Sequence, residues 1–227
     1  MMAQNTSHAV MAQRTEAHDS LDFFPTPPWA TRALVEHVLI GHGWGRHQFG
    51  DMLCWEPACG AGHMARPLAE YFKDVVATDC HDYGFGRVHD FLLPDSKRAD
   101  FVITNPPFRL GREFVERGRQ VARQGVAMLV RTAFLEGGER YRALFNPYPP
   151  LIVAPFVERV VMSKGRLLDP NKSYPDPKTG KPKRPSTATS YAWIVWSGRK
   201  FTRTNRNACV VWIPPCRKAL ERPGDYE

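Results

Sequence analysis

Cysteine is scarce here and poorly spaced for redox or metal chemistry. The 227 residues hold five, Cys54, Cys59, Cys80, Cys209 and Cys216, with no C-x-x-C pair. An odd number without paired spacing argues against a disulfide framework and for reduced thiols in a cytoplasmic setting. The eight histidines are scattered and lack zinc-site spacing, so no metal centre is expected. Long apolar runs are missing as well: the longest are of strand length, which leaves no candidate membrane span. Residues 1–20 are polar, without the apolar core of a signal peptide, and are expected to form a disordered tail. Acidic residues are in deficit, 23 against 31 Lys and Arg, and the formal charge of +8 favours a polyanionic partner such as nucleic acid. The dinucleotide fingerprint is also absent, because Ala65 stands where G-x-G-x-x-G needs its third glycine after Gly62. There are no internal repeats.

What is present begins with Asp100-Phe-Val-Ile-Thr-Asn105-Pro106-Pro107-Phe108. The apolar run 101–103 reads as a buried strand. Pro106 and Pro107 cannot donate to a sheet ladder, so the strand must stop at Asn105. One amide, one carbonyl and one aromatic ring are thereby held at the carboxyl end of a strand, where open α/β sheets bind ligands. A Pro-rich turn would produce the same letters, but other pieces of the same kind accompany it. Trp55-Glu56-Pro57-Ala58-Cys59-Gly60-Ala61-Gly62 is a strand end, an acid and a glycine turn. Spacing of Met64, Leu68, Ala69 and Phe72 predicts a helix over 63–72 behind it. Such a turn lets backbone approach a ligand and aims N–H groups at it, while Glu56 would repel a pyrophosphate and suits a cationic or zwitterionic group. Val75-Val-Ala-Thr-Asp79 ends a second strand in an acid, the usual place for a ribose-binding carboxylate. His89-Asp90-Phe91 then sets an acid beside a ring, suited to an adenine.

In this order the motifs resemble the S-adenosylmethionine-dependent adenine-N6 methyltransferases, and most of all the small phage- and prophage-type DNA enzymes. The likeness rests on Asp22-Phe-Phe-Pro-Thr-Pro27, 55–62, 76–79, 89–91, Asn105-Pro-Pro-Phe108, Ala133-Phe-Leu-Glu-Gly137 and Tyr191-Ala-Trp-Ile-Val-Trp196. It covers roughly residues 21–162 and resumes near 188–213. The resemblance implies that Phe24, Pro25 and Thr26 touch the cofactor S-adenosyl-L-methionine. It implies that Glu56, Pro57, Ala58, Cys59, Gly60 and Gly62 hold its methionine part, Asp79 its ribose, and Asp90 and Phe91 its adenine. Asn105, Pro106, Pro107 and Phe108 would handle the target base, with Asn105 Oδ1 and the Pro106 carbonyl accepting from the amine and Phe108 stacking on a base turned out of its helix. One departure stands out: there is no room for the large target-recognition domain of the restriction-type enzymes, so loose or short-motif specificity is expected. RNA adenine methylation, protein glutamine methylation through a similar Asn-Pro-Pro-Tyr, and a catalytically silent cofactor-binding subunit are the rival readings.

Strands alternate with helices, at about 52–56, 75–78, 87–91, 101–104 and 126–130 against helices over 28–42, 111–123 and 139–145. That pattern predicts one doubly wound, mainly parallel Rossmann-like sheet over 21–216. Segments 157–162, 191–197 and 208–213 follow without helices between them, so antiparallel strands are expected at one edge. Residues 217–227 are expected to be a tail. The remaining feature is 163–190, which carries seven Lys or Arg against two Asp and five prolines. Its composition predicts a mobile arm gripping phosphates through Lys164, Arg166, Lys178, Lys181, Lys183 and Arg184.

Overall fold

A computed structural model describes residues 22–94, 97–176, 179–198 and 207–227; the expected N-terminal tail and Lys178 lie outside these residues. Its frame is an eight-stranded sheet in the order β10-β6-β9-β5-β4-β1-β2-β3. The strands are β1 (Leu53–Glu56), β2 (Asp74–Asp79), β3 (Arg87–Val88), β4 (Ala99–Thr104), β5 (Ala122–Arg131), β6 (Ile152–Pro155), β9 (Tyr191–Ser197) and β10 (Cys209–Val210). From β3 through β5 every pair is parallel, and β9 runs antiparallel between β5 and β6. The expected doubly wound sheet with an antiparallel edge is thus the observed one.

Period-two burial explains why both faces are covered. Phe101, Ile103, Ala127, Leu129, Trp193 and Val195 join the core on one face. Their alternates Val102, Val126, Met128, Ile194 and Trp196 join the core on the other. Helix α1 (Pro28–Leu34) covers the first face, pinned by Trp193 Nε1 donating to the Ala30 carbonyl at 2.9 Å. Helix α4 (Gly111–Val121) covers the second with Phe114, Val115 and Val121.

Several expected elements changed extent. The helix over 28–42 widens after Leu34 into a single π-type turn, Val35–Leu39, and stops at Ile40. Of the helix over 63–72 only α3 (Ala65–Leu68) is regular, since Pro67 has no N–H to give the ladder. The strand over 87–91 is reduced to β3. Residues 157–162 form no strand: β6 lies just before them, and Glu158 and Arg159 turn instead to Arg217 and to the Ala188 carbonyl. Strand β10 pairs parallel with β6 rather than antiparallel. The segment expected as a C-terminal tail carries α6 (Arg217–Leu220) and docks on α1 through buried Arg32. That guanidinium pairs with Glu70 at 2.8 Å and Asp225 at 2.7 Å and also donates to the Leu220 carbonyl. The 163–190 arm contains a small hairpin of β7 (Tyr174–Pro175) and β8 (Pro182–Lys183). No helix among the described residues is long and apolar enough to cross a membrane.

Candidate active site

Four neighbouring strands end at one rim with a polar residue: Asp79 closes β2, Glu56 closes β1, Asn105 follows β4 and Arg131 closes β5. The rim is the carboxyl end of the parallel strands, where ligands of such sheets sit.

At the β1–β2 end, the turn after Glu56 needs its glycines. Gly60 and Gly62 have φ of +48° and +83°, values costly for side chains with a Cβ. Gly60 N donates to Asp79 Oδ2 at 2.9 Å and His81 N to Oδ1 at 3.0 Å, so both carboxylate oxygens are fixed by backbone yet retain lone pairs. Rings crowd the turn: a Cβ on Gly62 would lie 2.6 Å from Phe85, and Phe23 packs against Gly60. Cys59 is buried as a small side chain, its thiol pushed up to about 12 by burial and then by Glu56. Glu56 is itself buried, and its Oε1 accepts from the Thr104 hydroxyl at 2.7 Å. Its Oε2 is sealed from solvent without a hydrogen-bond partner. Burial pushes this carboxyl up to about 8 against the opposing pull of Thr104. A buried carboxyl with one idle oxygen fits a cationic group, as an ammonium would be.

Phe91 is not arranged as expected. Phe91 is 1% exposed, lodged between Trp55 and Phe114 with centroids 5.0 and 5.1 Å away. A ring so enclosed belongs to the core and has no open face for an adenine. Asp90 is exposed and spends Oδ1 on the Leu92 N–H in a local turn.

At the β4 end, Asn105 is held in one orientation. Its Nδ2 donates to the Phe24 carbonyl at 3.0 Å and to Thr26 Oγ1 at 3.1 Å, with Met162 Sδ at 3.7 Å. A carbonyl can only accept, so the atom facing Phe24 must be the NH₂. Oδ1 is therefore directed away, buried and without a partner. The Phe24–Thr26 segment, expected against the cofactor, is found supporting the amide: Thr26 is buried and the Phe24 ring lies 5.0 Å from Phe108. Phe108 N donates to Asp22, and the Arg131 guanidinium lies 3.9 Å over its ring. Pro106 is buried and Pro107 half-buried beneath.

The basic arm starts at this site, because Met162 immediately precedes it and Gly165 N donates to the Phe23 carbonyl at 2.8 Å. Lys164, Arg166, Lys181, Lys183 and Arg184 are all exposed, and Lys183 reaches Asp176 at 3.6 Å. Thr104, Met162 and Arg131 were not legible as site residues. Thr104 had a signal in its place just before Asn105; Met162 had none. All five cysteines are free, and no metal-binding cluster occurs among the described residues.

No family model matches the chain. A curated relative, ribosomal RNA small subunit methyltransferase C of Idiomarina loihiensis, is 29% identical over 113 residues, 39% of this chain. That match spans about a third, 34%, of the relative's length. A solved candidate RNA methyltransferase from Pyrococcus horikoshii superposes with a TM-score of 0.54 at 14% identity, covering 87% of this chain and 99% of its own. A solved class I S-adenosylmethionine-dependent methyltransferase candidate from Listeria monocytogenes gives 0.56 at 12% identity, covering 86% and 67%. The fold is the Rossmann-like one of the class I S-adenosylmethionine-dependent methyltransferases.

Proposed function

We propose that this protein transfers a methyl group from S-adenosyl-L-methionine to the exocyclic N6 amine of adenine in DNA, with loose or short-motif sequence choice. The observation that carries the reading is Asn105: an amide whose nitrogen is tied down and whose Oδ1 is a buried acceptor with no partner. Leaving a buried acceptor unsatisfied costs about 1–3 kcal/mol, a cost that a substrate N–H would relieve.

When bound, the cofactor supplies a methyl group on a sulfonium. The protein's part is placement. Glu56 Oε2, the Gly60–Gly62 turn and Asp79 lie at the β1–β2 end, where an ammonium, a backbone-hugging chain and ribose hydroxyls would find acceptors and donors. An adenine amine is a weak nucleophile because its lone pair is delocalised into the ring. Asn105 Oδ1 and the Pro106 carbonyl accept its two N–H groups and favour the pyramidal nitrogen that can attack in line. The amine's lone pair forms the new N–C bond, the C–S electron pair stays on sulfur, and one amine proton leaves to solvent. Phe108 stacks on the extruded base, and the exposed cations of 163–190 meet phosphates.

A second reading keeps these residues and changes the polymer to RNA; the relative and one structural neighbour named above, both RNA methyltransferases by description, favour it. Incubation with methyl-labelled cofactor and separate DNA, RNA and protein pools tests both. Label in DNA adenine supports the first reading and label in RNA adenine the second. Label confined to protein would overturn both.

A further inference from the structure

Arg131 is the rim residue that the proposed chemistry leaves idle, and its surroundings differ from those of Arg117, Arg123 and Arg140. Arg123 is spent on Asp100 at 2.9 Å, Arg117 on the Phe91 and Leu93 carbonyls, and Arg140 on the Phe134 and Glu136 carbonyls. Arg131 is half-buried, yet among the described residues no ion pair or hydrogen bond satisfies its guanidinium, and its Nε–H is sealed without an acceptor. Its neighbour is the Phe108 ring, 3.9 Å from the guanidinium carbon. A planar cation on a ring face is a stable arrangement, but it leaves the edge donors unmatched. Unmatched guanidinium donors fit the paired oxygens of a phosphate or carboxylate.

Position decides which anion. Strand β5 lies beyond β4 from β1 and β2, so Arg131 is on the Phe108 side of the rim, away from Glu56 and Asp79. Phe108 is half-buried, with the guanidinium over its ring and the Phe24 ring 5.0 Å away at a 43° tilt. A base packed against the remaining edge of Phe108 would lie next to Arg131, with its backbone on the guanidinium side.

We infer that Arg131 binds a phosphodiester flanking the target adenine, so that Phe108 takes the base and Arg131 its backbone. The inference rests on the nucleic-acid reading above.

Oligonucleotides with a single adenine, made with a neutral methylphosphonate at one flanking phosphate, test it. With the unaltered protein, neutralising the contacted phosphate should lower kcat/KM about tenfold or more, the usual size of a charge-assisted hydrogen bond. In Arg131→Met the same methylphosphonate should change nothing further, because the two losses are one interaction. Arg131→Lys keeps the charge but not the fork and should fall between; it also serves if the Met variant melts early. Losses that simply multiply would overturn the assignment. So would an Arg131→Met protein whose cofactor affinity drops in calorimetry while the methylphosphonate has no effect, since the anion would then be the cofactor's carboxylate. If no oligonucleotide is methylated, the proposed activity fails instead, and the same cycle read as oligonucleotide affinity still decides Arg131.

Discussion

The two ends of the rim are built differently. At the β1–β2 end most contacts are short in sequence: Ala58 N to Glu56 spans 2 residues, Gly60 N to Asp79 19, and the Trp55–Thr78 bond that braces the strands 23. The longest of these hydrogen bonds, Thr104 to Glu56, spans 48. At the β4–β5 end they are long. Asn105 is held from Phe24 and Met162, 81 and 57 residues away, and Phe108 from Asp22, 86 away. One end is largely a property of a single βαβ unit, completed by Thr104 of the next strand, while the other exists only once distant segments have folded onto it. On the proposed function, the contrast would put methyl-donor binding in a largely local motif and target handling in a tertiary assembly.

The sharpest way to break this comparison is Asn105→Ala. Methyl transfer should be abolished while calorimetry shows cofactor affinity within a few-fold of the original; lost cofactor binding in a folded variant would merge the two ends. Next comes Asp79→Ala, which should weaken cofactor binding by roughly 1–3 kcal/mol by stranding partners. An unchanged dissociation constant would remove Asp79 from the cofactor end.

A third effect is one of pH. Because the free Glu56 carboxyl sits at about 8, it holds its proton at neutral pH. A cationic ligand group favours the ionised form, so binding releases a proton, and affinity should rise with pH up to about 8, by at most tenfold per unit. The folded value lies above the unfolded one, so the ligand-free protein should lose stability as pH rises from about 4.5 to about 8. Glu56→Gln should flatten both profiles relative to the unaltered protein, as titrations and thermal melts at several pH values would show. The smallest effect belongs to the arm. Replacing Lys181, Lys183 and Arg184 by Ala should weaken binding to all sequences about equally and flatten the salt dependence, since each phosphate contact releases counterions. A variant that changes which adenines are methylated would instead make the arm a sequence reader.

How much was legible follows the same division. The glycine turn, the strand-ending acids and the Asn-Pro-Pro-Phe stop were readable because turn chemistry and strand termination are local. The support that Phe24 and Thr26 give Asn105 was not legible: sequence shows that a segment is apolar and Pro-flanked but not that its carbonyl and hydroxyl fix an amide 81 and 79 residues on. Phe91 was misread for a related reason. Its place after an acid matched a ligand pattern, while its burial depends on Trp55 and Phe114 meeting it from two other elements. The late strands were shifted because 157–162 is apolar enough for a ladder, yet Glu158 and Arg159 have ion-pair and hydrogen-bond partners outside the sheet.

The clasp between Arg32 and Asp225 bears on how the molecule is completed during synthesis. Its two halves are separated by 193 positions, and the arginine belongs to α1. While a nascent chain is still short of that aspartate, α1 can pack on the sheet only by burying a cation with half its partners missing, a costly state. Docking of α1 is therefore not complete until the chain around Asp225, 193 positions further on, has been made, and until then the apolar face of α1 is exposed to whatever else binds nascent chains.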